Sequence, residues 1–196
     1  MKTVVWDVDD VLNDLMGSWL TRLWLPEHPD CRVRYREITT NPPDEVLGIS
    51  REEYLASLDR FRLSADAAAM EPNPAVLAWL NAHGAGCRHV ALTARPLASA
   101  PAAAHWVLTH FGAWIRTFTF VPSWRPQECL PPYDAAKADY LQWLQRADVL
   151  IDDAPDNIEG AARLGIRGVL MPQPWNSSRL TLPETLELLT DIVAGQ

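Results

Sequence analysis

The sequence predicts an α/β fold: a Rossmann-like parallel sheet with helices on both faces, plus a small helical block inserted after the first strand. Three observations predict it. Residues 3–8 form an apolar, β-branched run of the kind found in buried strands. From Pro72 onward, short apolar runs alternate with helix-length segments bounded by Asn, Asp, Pro and Gly, as in a parallel sheet covered on both sides. Between these two regions, residues 13–71 contain no convincing strand.

Taken in order, the first strand gives way to Leu12, Leu15, Met16, Trp19, Leu20 and Leu23 at helical spacing. Residues 26–43 are polar, irregular and proline-bearing. Ser50-Arg51-Glu52-Glu53 has the form of a capping box, so a second helix is expected to start there. The alanine-rich run 65–69 reads as a short helical piece. Asn73 with Pro74 opens a helix that Gly84 ends. Residues 88–93 read as a strand, 101–111 as a helix ended by Gly112, and 115–121 as a strand. Asp134 is expected to cap a helix running to about Arg146. Residues 149–151 form a short strand, 155–164 a helix ended by Gly165, 168–171 a last strand, and a final helix follows Pro183. The domain division expected is a core of 1–12 and 72–196, with a small helical cap of 13–71.

Composition narrows the function. The chain has 196 residues, 48% of them hydrophobic, enough for one core and a modest insertion. The formal net charge of −8, with no basic stripe, argues against a nucleic-acid polymer as partner. A small anionic substrate would need a cation or local basic groups beside it. Cys31, Cys87 and Cys129 have no CxxC spacing, so neither a zinc knot nor a redox pair is expected. Cys87 and Cys129 read as buried or half-buried thiols, and this usage suits a reducing, cytoplasmic setting. No run approaches the roughly 20 apolar residues of a membrane span, and no signal peptide precedes the first strand. His28, His83, His89, His105 and His110 show no metal-ligand spacing.

Ligands of parallel α/β sheets bind outside the carboxyl ends of the strands. The first strand ends in Asp7-Val8-Asp9-Asp10, the second in Leu92-Thr93-Ala94-Arg95, and the strand at Val149 in Asp152-Asp153. Such carboxylates, with Asp156 four residues beyond Asp152, repel when gathered without a counter-ion. Mg²⁺, a hard cation that prefers oxygen ligands, removes the repulsion. Each Asp taken singly could instead cap a turn or helix. Lys137 shares a helical face with Tyr140, Leu141 and Leu144, so it either snorkels to water or reaches an anionic site. Arg95 reads as a phosphate contact or a surface residue.

In this order, Asp-x-Asp-x-Val after a strand, Thr after a second, an inward Lys, and Asp-Asp after a third resemble the haloacid dehalogenase (HAD) superfamily in its phosphatase branch. The resemblance covers nearly the whole chain, and the helical insertion stands where that superfamily places its smaller cap type. It implies an HAD-like fold and an Mg²⁺-dependent phosphohydrolase acting through an aspartyl phosphate. By position, Asp7 would be the nucleophile and Asp9 the general acid and base, with its backbone carbonyl on the metal. Thr93 and Lys137, with Arg95 beside them, would hold the phosphoryl oxygens. Asp152 would complete the metal site, with Asp153 as the alternative ligand and Asp156 in support.

Residues 150–153, the small insertion and residues 168–176 look more narrowly similar to the 5′(3′)-deoxyribonucleotidase family. Two positions depart from it: Asp10 stands where Gly is common, and Leu15 where a base-stacking aromatic can occur. The partner expected is a small phosphorylated metabolite, with a nucleoside monophosphate as the narrower form. Trp19, Trp24, Tyr35, Tyr54 and Phe61 of the insertion either stack on a base or form its core. The alternatives left open are a phosphotransferase or phosphomutase sharing the first chemical step, and a phosphometabolite-binding protein without turnover.

Overall fold

The computed structural model describes residues 1–123, 125, 128–131 and 133–195. Gln196, the expected end of the core segment, lies outside them. Five strands, β1 (Thr3–Trp6), β2 (Arg88–Arg95), β3 (Ile115–Pro122), β4 (Val149–Asp152) and β5 (Arg167–Leu170), form one parallel sheet in the order β3-β2-β1-β4-β5. The first strand is therefore central. Val5 pairs with Val90 of β2 on one side and Leu150 of β4 on the other, which brings the carboxyl ends of all three strands to one edge.

The described residues form ten α-helical segments: α1 (Leu15–Trp19), α2 (Leu25–Glu27), α3 (Asp44–Leu47), α4 (Arg51–Arg62), α5 (Ala65–Ala68), α6 (Pro74–His83), α7 (Ala100–Phe111), α8 (Lys137–Leu144), α9 (Pro155–Arg163) and α10 (Leu182–Ala194). A π-helical turn, Leu20–Trp24, joins α1 to α2. The period of two along the strands sorts their side chains onto two faces. Val4, Trp6, Ala91, Val149 and Ile151 pack with Val76 and Leu80 of α6, Val107 of α7 and Leu189 of α10. Val5, Val90, Leu92 and Leu150 pack with Tyr140 and Leu141 of α8 and Ala161 of α9. Strands buried on both faces read as continuous apolar runs for this reason.

Residues 15–70 gather around a separate cluster that includes Trp19, Trp24, Tyr54, Leu58 and Phe61, with Trp175 as the partly buried contact from beyond the insertion. These aromatics are core: Trp19 and Phe61 are almost wholly buried. Ser50 accepts from the Glu53 N–H and starts α4 where the motif places it.

Two local expectations are corrected. Asp134 does not cap α8. The Asp139 carboxylate accepts from the Ala135 and Ala136 N–H groups at 2.8 and 2.9 Å, so the helix begins at Lys137 and stops at Leu144, where Gln145 turns left-handed at φ 54°. Cys129 is exposed rather than buried, because it lies in the loop between β3 and α8, while Cys87 is half-buried. Among the described residues, no helix is long and apolar enough to cross a membrane.

Candidate active site

Asp7 follows β1 directly, and its N–H donates to the Ile151 carbonyl, which continues the β1–β4 ladder by one residue and fixes the carboxylate at the edge. Thr93 lies near the end of β2 and Asp152 closes β4. Lys137, the first residue of α8, is only 2% exposed, and its Nζ lies 2.8 Å from Asp7 Oδ1 and 2.7 Å from Asp152 Oδ2. It is therefore an ion-paired cation in the site and does not snorkel. Burial lowers its pKa, but the Asp152 and Asp7 carboxylates outweigh burial and hold it above the ordinary lysine value.

Asp7, Asp152 and Asp153 are all buried, and each offers a carboxylate oxygen within 4.8 Å of the others. Asp152 is heavily bonded: Oδ1 accepts from the Ala154 N–H and Asn157 Nδ2, both at 3.0 Å, and Oδ2 from Lys137. Asp153 Oδ2 accepts from Trp175 Nε1 at 2.7 Å. Asn176 Nδ2 donates to the Asp153 and Met171 carbonyls, which ties the segment after β5 to the same edge. Asp156 is exposed and outside this group; the supporting contact to Asp152 comes from Asn157 instead, because α9 turns Asp156 outward.

The carboxylates are crowded. Burial, and then Asp152, Asp153 and Asp9, hold Asp7 well above the usual carboxylate range despite Lys137. Burial and Asp152 push Asp153 up to about 6. These residues fit a divalent cation. Three buried carboxylates whose oxygens lie within 4.8 Å of one another are the hard donor set that Mg²⁺ would take. A cation there would also relieve the repulsion that one lysine leaves.

Asp9 is held differently. Its Oδ1 lies 2.6 Å from Arg95 Nη2 and its Oδ2 3.0 Å from Arg62 Nη2, so its carboxylate is not part of the three-carboxylate cluster. Burial raises its pKa, but Arg95 and Arg62 outweigh burial and leave the group below its ordinary value. Arg95 is buried, which removes the surface reading, and its nearest partner is Asp9. Arg62 was not among the residues singled out from the sequence. At the end of α4 it reads only as a cation complementing a helix C-terminus. Arg62 also reaches Asp59 at 3.2 Å, and Arg125 grips Asp59 with Nε–Oδ2 and Nη2–Oδ1 contacts of 2.6 and 3.0 Å.

Asp10 has φ +61°, a conformation that glycine adopts freely and that Asp and Asn tolerate best among the rest. Its carboxylate accepts from the Met16 N–H at 2.8 Å, and its carbonyl from Gln173 Nε2 at 2.6 Å. It therefore locks the strand end to α1. Asp7, Thr93 and Lys137 line a cavity of ≈ 220 Å³ whose wall also includes Arg51, Tyr54 and Arg62.

No family model and no curated protein matches the chain. Solved structures do match in fold. The chain is similar to a haloacid dehalogenase-like hydrolase from Streptococcus pneumoniae (TM-score 0.64, 14% identity, 97% of each chain covered). It is similar to a haloacid dehalogenase-like family hydrolase from Xanthomonas campestris (0.58, 13%, 100% of this chain and 97% of that one). It is also similar to protein tyrosine kinase A from Mycobacterium tuberculosis (0.57, 19%, 91% and 86%). The fold is HAD-like, as expected from the order of the motifs.

Proposed function

We propose that this chain is an Mg²⁺-dependent phosphohydrolase of the HAD type, acting on a small phosphomonoester through an aspartyl phosphate at Asp7. The observation that carries the reading is Lys137 Nζ bridging Asp7 and Asp152 beneath a cavity that Thr93 also lines. A buried lysine paired with two carboxylates supplies fixed positive charge where a phosphoryl group would arrive. We also read residues 13–71 as a cap over a core of 1–12 and 72–196.

In the proposed reaction an Asp7 carboxylate oxygen attacks phosphorus, and the ester oxygen leaves with a proton from Asp9. Asp9 then takes a proton from the water that attacks the aspartyl phosphate. Its ionised state between Arg62 and Arg95 suits this second step, and the first requires those guanidiniums to yield. Thr93 Oγ1 and Lys137 Nζ hold phosphoryl oxygens. Mg²⁺, held by Asp7 with Asp153 or Asp152 and the Asp9 carbonyl, would screen the negative charge of nucleophile and phosphate.

The test is phosphate release from an aryl phosphate. Wild type is expected to turn over with Mg²⁺ and to stop reversibly with chelator. Asp7→Asn is expected to lose at least about a thousandfold in kcat, as loss of a covalent nucleophile does. Full activity in Asp7→Asn would sink the nucleophile assignment. A phosphotransferase shares the first half of this chemistry, and product analysis with an alcohol acceptor present separates the two. For the narrower nucleotidase reading, Tyr54 is the aromatic of the insertion that lines the cavity and could meet a base.

A further inference from the structure

The loop after β5 joins two parts of the molecule that the sequence keeps far apart. Trp175 donates Nε1–H to Asp153 Oδ2 at 2.7 Å, and Asp153 is one of the three clustered carboxylates. The same indole packs against the apolar cluster of the insertion. Its ring meets Tyr35 edge to face, with centroids 5.9 Å apart and planes at 78°. Tyr35 in turn donates its hydroxyl to Gln173 Oε1 at 2.7 Å. Burial, then Asp10, hold that hydroxyl above the ordinary tyrosine range, so it stays protonated. Asn176 anchors the base of the loop. Its Nδ2 holds the Asp153 and Met171 carbonyls, and its Oδ1 accepts from the Gln173 and Ser178 N–H groups.

A donor on a carboxylate that serves a metal fixes the orientation in which the carboxylate is offered. Trp175 does this from a ring whose other contacts belong to the insertion. An indole is rigid, so its N–H cannot keep its line on Asp153 while its ring follows Tyr35 elsewhere. Packing alone would need no polar edge, since a phenylalanine would fill the same place against Tyr35. The N–H on Asp153 is what carries the contact between insertion and loop through to the carboxylate cluster.

We infer that Trp175 is a positioning residue that couples the helical insertion to the metal site: it aims Asp153, and Tyr35 of the insertion holds it in place. The site then takes its cation best when the insertion is seated on the loop. The inference rests on the phosphohydrolase reading only for the identity of that cation, Mg²⁺.

Mg²⁺ binding to the full chain, measured by calorimetry, tests it. Trp175→Phe keeps a ring against Tyr35 and loses the N–H. Its Kd for Mg²⁺ is expected to rise about tenfold, as loss of a group that orients a metal ligand does. Tyr35→Leu leaves Asp153 and Trp175 unaltered and is expected to weaken Mg²⁺ severalfold. Tyr35→Phe, which keeps the ring, is expected to stay close to wild type. In the Trp175→Phe background Tyr35→Leu is expected to cost nothing further, because the link is already cut. An unchanged or lower Kd in Trp175→Phe would overturn the inference. So would losses that multiply in the double variant, or an equal loss in Tyr35→Phe, which would route the effect through Gln173 and Asp10 instead.

Nuclear magnetic resonance separates aiming from packing in the unaltered chain. The indole N–H resonance that disappears in Trp175→Phe is expected to shift as Mg²⁺ saturates wild type, with the calorimetric Kd. A resonance that stays fixed would reduce Trp175 to packing and overturn the inference. Both side chains are half-buried and stand outside the sheet, so the variants keep the fold. Phosphate release by wild type is measured alongside. Turnover with Mg²⁺ and no change of Kd in any variant rejects the coupling and leaves the phosphohydrolase standing. The expected pattern of Mg²⁺ binding with no phosphate released from any phosphomonoester keeps the coupling and rejects hydrolysis.

Discussion

Asp10 carries two demands that pull against each other. Its backbone needs a residue that tolerates φ +61°, while burial, then Asp153 and Asp9, hold its carboxyl well above the usual range. A carboxyl whose pKa is raised on folding costs stability as pH climbs past the unfolded value of about 3.9. Asparagine keeps the left-handed tolerance and an oxygen for the Met16 N–H, and it removes the charge. Asp10→Asn should therefore raise Tm in metal-free buffer at pH 7.5 by roughly 2–4 °C, or about 1 kcal/mol. The gain should vanish toward pH 3, where Asp10 keeps its proton folded and largely unfolded. Thermal unfolding at both pH values checks it; a lower Tm at pH 7.5 would mean that the Asp10 charge is held by a partner beyond Met16. At this scale Asp7, Asp9, Thr93, Lys137 and the Asp152-Asp153 pair were legible as types and spacings. Arg62 was not, because a cation near a helix C-terminus has an ordinary explanation in any sequence.

At the scale of elements, the strands and most helix ends follow local signals: Asn73 and Pro74 open α6, Ser50 opens α4, and Thr181 opens α10. The miss at α8 has a local cause too. Asp134 and Asp139 compete for the same unpaired N–H groups, and the carboxylate inside the helix wins by reaching back. Packing between elements is a tighter constraint than the sequence reveals. Gly168 of β5 lies under α9 so closely that an added Cβ would stand 2.5 Å from Ile158 Cγ2. Gly168→Ala should cost about 1–3 kcal/mol, the usual range for overpacking. Urea unfolding should also find the Gly168→Ala/Ile158→Ala double variant less destabilised than the sum of its parts. Strict additivity would show that the helix shifts freely.

For the whole molecule, the sheet order decides where charge accumulates. β1 between β2 and β4 stacks Asp7, Asp152 and Asp153 at one edge with a single lysine between them. Asp7 and Asp153 titrate above their unfolded values, so their contribution to stability is full below about pH 4 and is lost as pH rises through their folded values, about 6 for Asp153. A divalent cation binds the deprotonated form and should restore that loss. Saturating Mg²⁺ near 100 times its Kd should add about 2.7 kcal/mol at pH 7.5. That is a Tm increase of roughly 5–10 °C for a chain of this size. The increase should shrink severalfold at pH 5, and an equal increase at both pH values would place the ion away from these carboxylates.

The sequence by itself determined the α/β class, the alternation of strand and helix, and the three strand ends that carry the acidic residues and the threonine. It could do so because apolar periodicity and turn chemistry are local, and because strand ends are where a parallel sheet binds ligands. Only the tertiary structure decided which cations meet which anions. Lys137 against Asp7 and Asp152, Arg62 and Arg95 against Asp9, and Arg125 against Asp59 are contacts between residues 15 to 130 positions apart. No local pattern encodes such pairings, because they exist only once helices and strands have packed and water has left the charges to find each other.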